Sequence, residues 1–159
     1  LSGPDFLVHV GMLRGLDRET ARQRAHQLLD TLDLTDAGKK LISDYSAGMT
    51  KKISLAAALI HAPSLLVLDE PFEAVDPVSA ANIRQILQDF TSRGGTVILS
   101  SHVMATVQQL CTHVAVINHG QVLASGTTEE VAAGTSLDER FAQLVGGVHT
   151  SEGLSWLAN

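Results

Sequence analysis

Apolar residues recur at helical spacing near both ends of the chain, while its middle holds short unbroken apolar runs of the kind that form strands. Phe6, Leu7, Val10 and Leu13 make the first stripe. Ser2 stands at its head as a cap with Asp5 three residues on, and Gly15 ends it. A second helix is predicted from Asp17, with Ala21, Ala25, Leu28, Leu29 and Leu32 inward and Arg18, Arg22 and Arg24 outside. From Thr35 to Tyr45 the pattern is irregular. A third helix, rich in Ala and Leu, should run from Ser46 to about His61, before Pro63 breaks it.

The run Leu65-Leu66-Val67-Leu68-Asp69-Glu70-Pro71 is the centre of the pattern. Its four apolar residues predict a strand buried on both faces, stopped by Pro71, with Asp69 and Glu70 at its carboxyl end. Asp76-Pro77 then opens a helix with the acid as cap and proline at the first position; Ala80, Ile83, Ile86, Leu87 and Phe90 are its stripe, and Gly94-Gly95 its end. Thr96 to Ser100 is a second buried strand. Strand, helix and strand in that order form a parallel βαβ unit, so His102, just past the second strand, is expected on the same rim as Asp69 and Glu70. Residues 103–111 predict a helix, His113 to Ile117 a strand, and Val122 to Ser125 its hairpin partner. Thr127 to Ala133 and Leu137 to Val145 predict two closing helices, and from Gly146 onward no period is visible.

Composition narrows the classes. The chain has 159 residues, is 45% apolar and 18% charged, and carries a net charge of −6, which is globular and suggests one domain by length. Basic residues are scattered, so there is no electrostatic footprint for nucleic acid. No apolar run is long enough to cross a bilayer. Cys111 is alone, which excludes an internal disulfide and a cysteine metal site and suits a reducing compartment. The chain starts at Leu1 without an initiator Met and is expected to be a piece of something longer.

Individually, the candidate residues have plain readings: Asp69 and Glu70 can cap a turn, Ser46 can cap a helix, and His102 can be a surface histidine. As an ordered set they resemble the ATP-binding subunit of ATP-binding cassette (ABC) transporters, through about residue 145. Tyr45-Ser46-Ala47-Gly48-Met49 is similar to the family signature motif, Leu65 to Glu70 to the Walker B strand, Ala74-Val75-Asp76 to the D-loop, and His102 to the switch histidine. The resemblance implies an α/β fold, a partial P-loop NTPase core with parallel strands plus a helical subdomain carrying the signature motif. The expected divisions are 1–61 for the helical subdomain, 62–126 for the second half of the core, and 127–159 for a helical extension and tail.

The same resemblance implies ATP and Mg²⁺ as cofactors. Asp69 would act on Mg²⁺ through water, Glu70 would be the general base, and His102 would contact the γ-phosphate. Ser46, Ala47, Gly48 and Met49 would close over the nucleotide of a second, head-to-tail subunit, with Asp76 communicating across that interface. A membrane-spanning permease would be the other partner, placing the protein at the inner face of the cell membrane.

Departures from the family are specific. Ala47 and Met49 stand where the signature usually has glycine and glutamine, and Tyr45 where it usually has leucine. The Gly48-Met49 pair, Ser100-Ser101-His102, and Ser136 to Phe141 resemble exporter-type members. A G-x-x-x-x-G-K-[ST] phosphate loop is missing: Asp33 stands where its first glycine is required before Gly38-Lys39. The expectation is therefore the C-terminal part of an ABC ATPase, inactive alone. A non-catalytic half cassette acting in trans is the competing class, and an ABC ATPase outside transport a third.

Overall fold

Ser2 caps helix α1 (Gly3–Leu13): its hydroxyl accepts the Asp5 amide at 3.4 Å and donates to the Asp5 carboxylate at 2.6 Å. Asp17 caps α2 (Arg18–Thr31) by accepting from the amide and hydroxyl of Thr20. The computed structural model describes residues 1–146, in two units divided between Ser101 and His102.

In the first unit, α1 and α2 approach closely because small residues meet. A Cβ added at Gly11 would stand 3.1 Å from that of Ala21. Gly11 lies four residues after the fully buried Leu7 and shares its face, whereas Leu13 lies off it and is 73% exposed. The expected stripe is thus corrected at Leu13. Arg24 is corrected too, since its guanidinium turns in and donates to the Ile60 carbonyl at 2.9 Å. Two 3₁₀ turns, Thr35–Ala37 and Ile42–Asp44, fill the irregular stretch. Helix α3 (Ala47–Leu59) follows, capped by Ser46.

Strand β1 (Leu65–Asp69) pairs in parallel with β2 (Thr96–Ser100), placing Leu65 opposite Thr96 and Asp69 opposite Ser100. Helix α4 (Pro77–Ser92) makes the crossover, with Asp76 as cap and Pro77 first, and buries Ile83 and Leu87. These join Leu7, Leu29, Ile53, Ile60 and Leu66 in one core. The strands are not buried on both faces, contrary to the reading of their apolar runs. Leu66 is 2% exposed, but Leu65, Val67 and Ile98, which point to the other side, are 48%, 71% and 56% exposed. Within the first unit that face stays largely open.

The second unit begins with α5 (Met104–Leu110) and continues into an antiparallel hairpin of β3 (His113–Asn118) and β4 (Gln121–Thr127). Its two turn residues, His119 and Gly120, both have positive φ, as the preferred two-residue hairpin turn requires. Helix α6 (Thr128–Ala132) starts with a full capping box between Thr127 and Glu130, and Ser136 caps α7 (Leu137–Val145). Met104, Val107, Val116, Val131 and Leu137 form this unit's core. The stretch after Gly146 lies outside the described residues.

Candidate functional site

The carboxyl end of β1 is tied to the neighbouring strand by one hydroxyl. Parallel register sets Ser100 opposite Asp69, and the Ser100 hydroxyl donates to Asp69 Oδ1 while accepting the Glu70 amide at 3.0 Å. Glu70 then leaves the strand with φ +44°, in the left-handed region that side chains other than glycine enter at a cost of about 1–3 kcal/mol. Its backbone is held on both sides. The Glu70 carbonyl accepts the Lys51 ammonium at 3.0 Å and the Glu73 amide at 3.2 Å. With the Ser100 bond these make three hydrogen bonds, each contributing about 0.5–1.5 kcal/mol, enough to offset the strain. The consequence is chemical: the turn separates two adjacent carboxylates, leaving Asp69 at the strand end and taking Glu70 out of the ladder.

The start of α3 is the second part of the site. Ser46 acts as a plain N-cap, its hydroxyl accepting the Met49 amide at 3.3 Å while its carbonyl accepts the Thr50 amide at 2.8 Å. A hydroxyl used this way keeps its own proton to donate. Ala47 is exposed. Met49 packs its side chain against the core. Gly48 lies against the turn after β1, and a Cβ there would stand 3.0 Å from the Ala74 carbonyl. Tyr45 reaches back to α1, where its hydroxyl takes the space a side chain on Gly3 would need; burial pushes its pKa up.

The first unit therefore brings together Gly48 with the Ala74-Val75 turn, and Asp69 and Glu70 with Ser100. Asp76 caps α4, its carboxylate accepting the Val78 and Ser79 amides at 3.1 and 3.0 Å. The Ser79 hydroxyl and amide, chief among its partners, hold its pKa below the ordinary aspartate value. His102 is exposed and belongs to the second unit, standing in the bend between β2 and α5.

Two contributors escaped sequence reasoning. Ser100 was legible in principle, because two parallel five-residue strands in register put it opposite Asp69. Lys51 had no signal, since its reach to β1 depends on how α3 packs. As for a metal, an exposed carboxylate steadied by a hydroxyl suits Mg²⁺, which takes one or two carboxylates and keeps water and phosphate for its other positions. No cluster of three metal-ligating side chains occurs among the described residues.

Comparison with known proteins gives consistent results. The family model described as "AAA domain, putative AbiEii toxin, Type IV TA system" matches residues 7–107, more than half of the chain. The daunorubicin/doxorubicin resistance ATP-binding protein DrrA of Streptomyces peucetius is 39% identical over 82% of this chain and 40% of its own length. The linearmycin resistance ATP-binding protein LnrL of Bacillus subtilis is 33% identical over 94% of this chain and 48% of its own. A solved ATP-binding subunit of an ABC transporter superposes with a TM-score of 0.83 at 27% identity, covering 91% of this chain and 62% of that one. The chain thus spans less than half the length of these two curated relatives.

Proposed function

The chain belongs to the ATP-binding proteins of ABC transporters, and we infer from its site that it is the C-terminal part of a cassette ATPase whose hydrolysis of ATP drives export across a membrane. The observation that carries this reading is the pair of carboxylates at the end of β1, one steadied by Ser100 and the other turned out of the strand. Phosphoryl transfer needs two such groups with different tasks, one for the metal and one for water.

In this reading Asp69 would hold Mg²⁺ through water, and Glu70 would take the proton of the attacking water. The family resemblance assigns His102 the task of donating toward the γ-phosphate, where negative charge would develop. When bound, ATP and Mg²⁺ supply the phosphoryl group and the charge that neutralises it. Ser46 offers its hydroxyl proton, and the first turn of α3 its free amides, to a phosphate held by a second subunit. Ala47, Gly48 and Met49 shape that contact, and Asp76 lies at the same interface. The chain's own residues fit the nucleotide only in part, because it carries no phosphate loop to cradle the α- and β-phosphates.

The proposed divisions are the helical part at 1–61, the second half of the core at 62–126, and an extension at 127–159. No helix among the described residues is long and apolar enough to cross a membrane. Membership of the ABC ATP-binding proteins supports a place at the inner membrane face through a permease. Two relatives are named for resistance to daunorubicin/doxorubicin and to linearmycin, which supports a small-molecule antibiotic as the exported class.

The test is Glu70→Gln in the intact ATPase. Turnover should fall by at least about 100-fold, in line with loss of a general base, while ATP binding persists. Unchanged turnover would remove Glu70 from its role.

A further inference from the structure

We propose that Lys51 is a positioning residue that fixes the backbone of Glu70 and so makes the geometry of the base depend on helix α3. The proposal rests on the catalytic reading of Glu70 given above.

The Lys51 ammonium has three donors, and three acceptors surround it: the carbonyls of Asp69 at 3.2 Å and Glu70 at 3.0 Å, and the Glu73 carboxylate at 3.9 Å. These are the two site carboxylate residues and the far side of the turn that follows them. Hydrogen bonds from a cation to backbone carbonyls are stronger than neutral ones. They also have a direction: with both carbonyls drawn toward one ammonium, the peptide planes on either side of Glu70 are fixed. That is the constraint a left-handed glutamate needs, because its strain would otherwise release into an extended backbone and redirect the side chain.

A second contact points the same way. Ala74 is also left-handed, with φ +58°, and its carbonyl is the group against which Gly48 lies. Helix α3 therefore grips the turn at both ends, through Lys51 at Glu70 and through Gly48 at Ala74. Lys51 lies five residues after Ser46, little more than one helical turn. A helix this short moves as a body, so any displacement of its first turn by a partner's nucleotide is carried to the Glu70 carbonyl. Lys51 touches no reacting atom; it acts through Glu70.

Two measurements test this. In the 159-residue chain, backbone amide exchange at Glu70 reports the bond to Ser100 without requiring ATPase activity. Lys51→Met should speed that exchange by about tenfold or more, and Lys51→Arg, which keeps the cation, should restore most of the protection. Unchanged exchange in Lys51→Met would overturn the clamp. In the intact ATPase, Lys51→Met should lower kcat by about 10–100-fold, the range set by misplacing a reacting group, with KM within about threefold of wild type and rescue by Lys51→Arg. A change in KM alone, or no rescue by arginine, would overturn the positioning role. Retained turnover in Glu70→Gln would instead remove the catalytic reading, while the exchange result would still decide whether Lys51 holds the turn.

Discussion

Gly48 and Ala47 are neighbours with opposite tolerance for a methyl group. Ala47 is exposed at the first position of α3, where a side chain is tolerated. A methyl on Gly48 would meet the Ala74 carbonyl at 3.0 Å, closer than ordinary contact, with backbone on both sides and no flexible side chain to yield. Gly48→Ala should therefore destabilise the protein by about 1–3 kcal/mol, the usual cost of overpacking. Ala47→Gly should cost less than about 1 kcal/mol, through helix propensity alone. Urea midpoints of the two variants check this, and equal losses would contradict the packing account. The comparison also separates two reasons for glycine in this segment. At position 48 the chain's own turn demands it; at position 47 any demand must come from outside the chain.

Along β1 the two faces should respond as differently as those two residues. Leu66→Ala removes a buried side chain from the core shared with Ile83 and Leu87 and should cost about 2–5 kcal/mol. Val67→Thr, one residue on and 71% exposed, should change stability by no more than about 0.5 kcal/mol. It should also lessen self-association, since Leu65, Val67 and Ile98 form an open apolar patch. Denaturation curves and light scattering test the two claims. This strand also marks how far the sequence could be read. Its place and its parallel pairing with β2 followed from the apolar runs and from Asp76-Pro77, whereas Pro71 predicted a stop that the structure sets one residue earlier, with Glu70 already out of the strand. The burial of its second face did not follow, because an unbroken apolar run shows that a strand is made to be covered, without showing what covers it within the same chain. Helix starts at Ser2, Asp17, Ser46 and Asp76 were legible because caps are local. The left-handed turn at Glu70 was not, because it is imposed by Ser100 and Lys51, 30 residues downstream and 19 upstream.

For the molecule as a whole, the decisive quantity is what its two units can do with nucleotide by themselves. On the proposed reading, the end of β1 would provide a metal carboxylate and a base, and the start of α3 would provide donors for a phosphate held by a second subunit. Neither surrounds the α- and β-phosphates, which in a P-loop protein receive successive backbone amides and a lysine. Removing that cradle leaves contacts chiefly to the terminal phosphate and its metal, whose desolvation they are too few to offset. The expected outcome of heating the 159-residue chain with and without 1 mM MgATP is the same unfolding midpoint. A site with a Kd one hundredth of that concentration would stabilise the folded state by about 2.7 kcal/mol, a shift that no thermal melt would miss. Such a shift would mean that the chain builds its own nucleotide site from residues outside this arrangement, and the division of labour between two subunits would have to be abandoned. An unchanged midpoint would be the result expected if Ser46 and Gly48 serve a nucleotide held by a second subunit, as proposed.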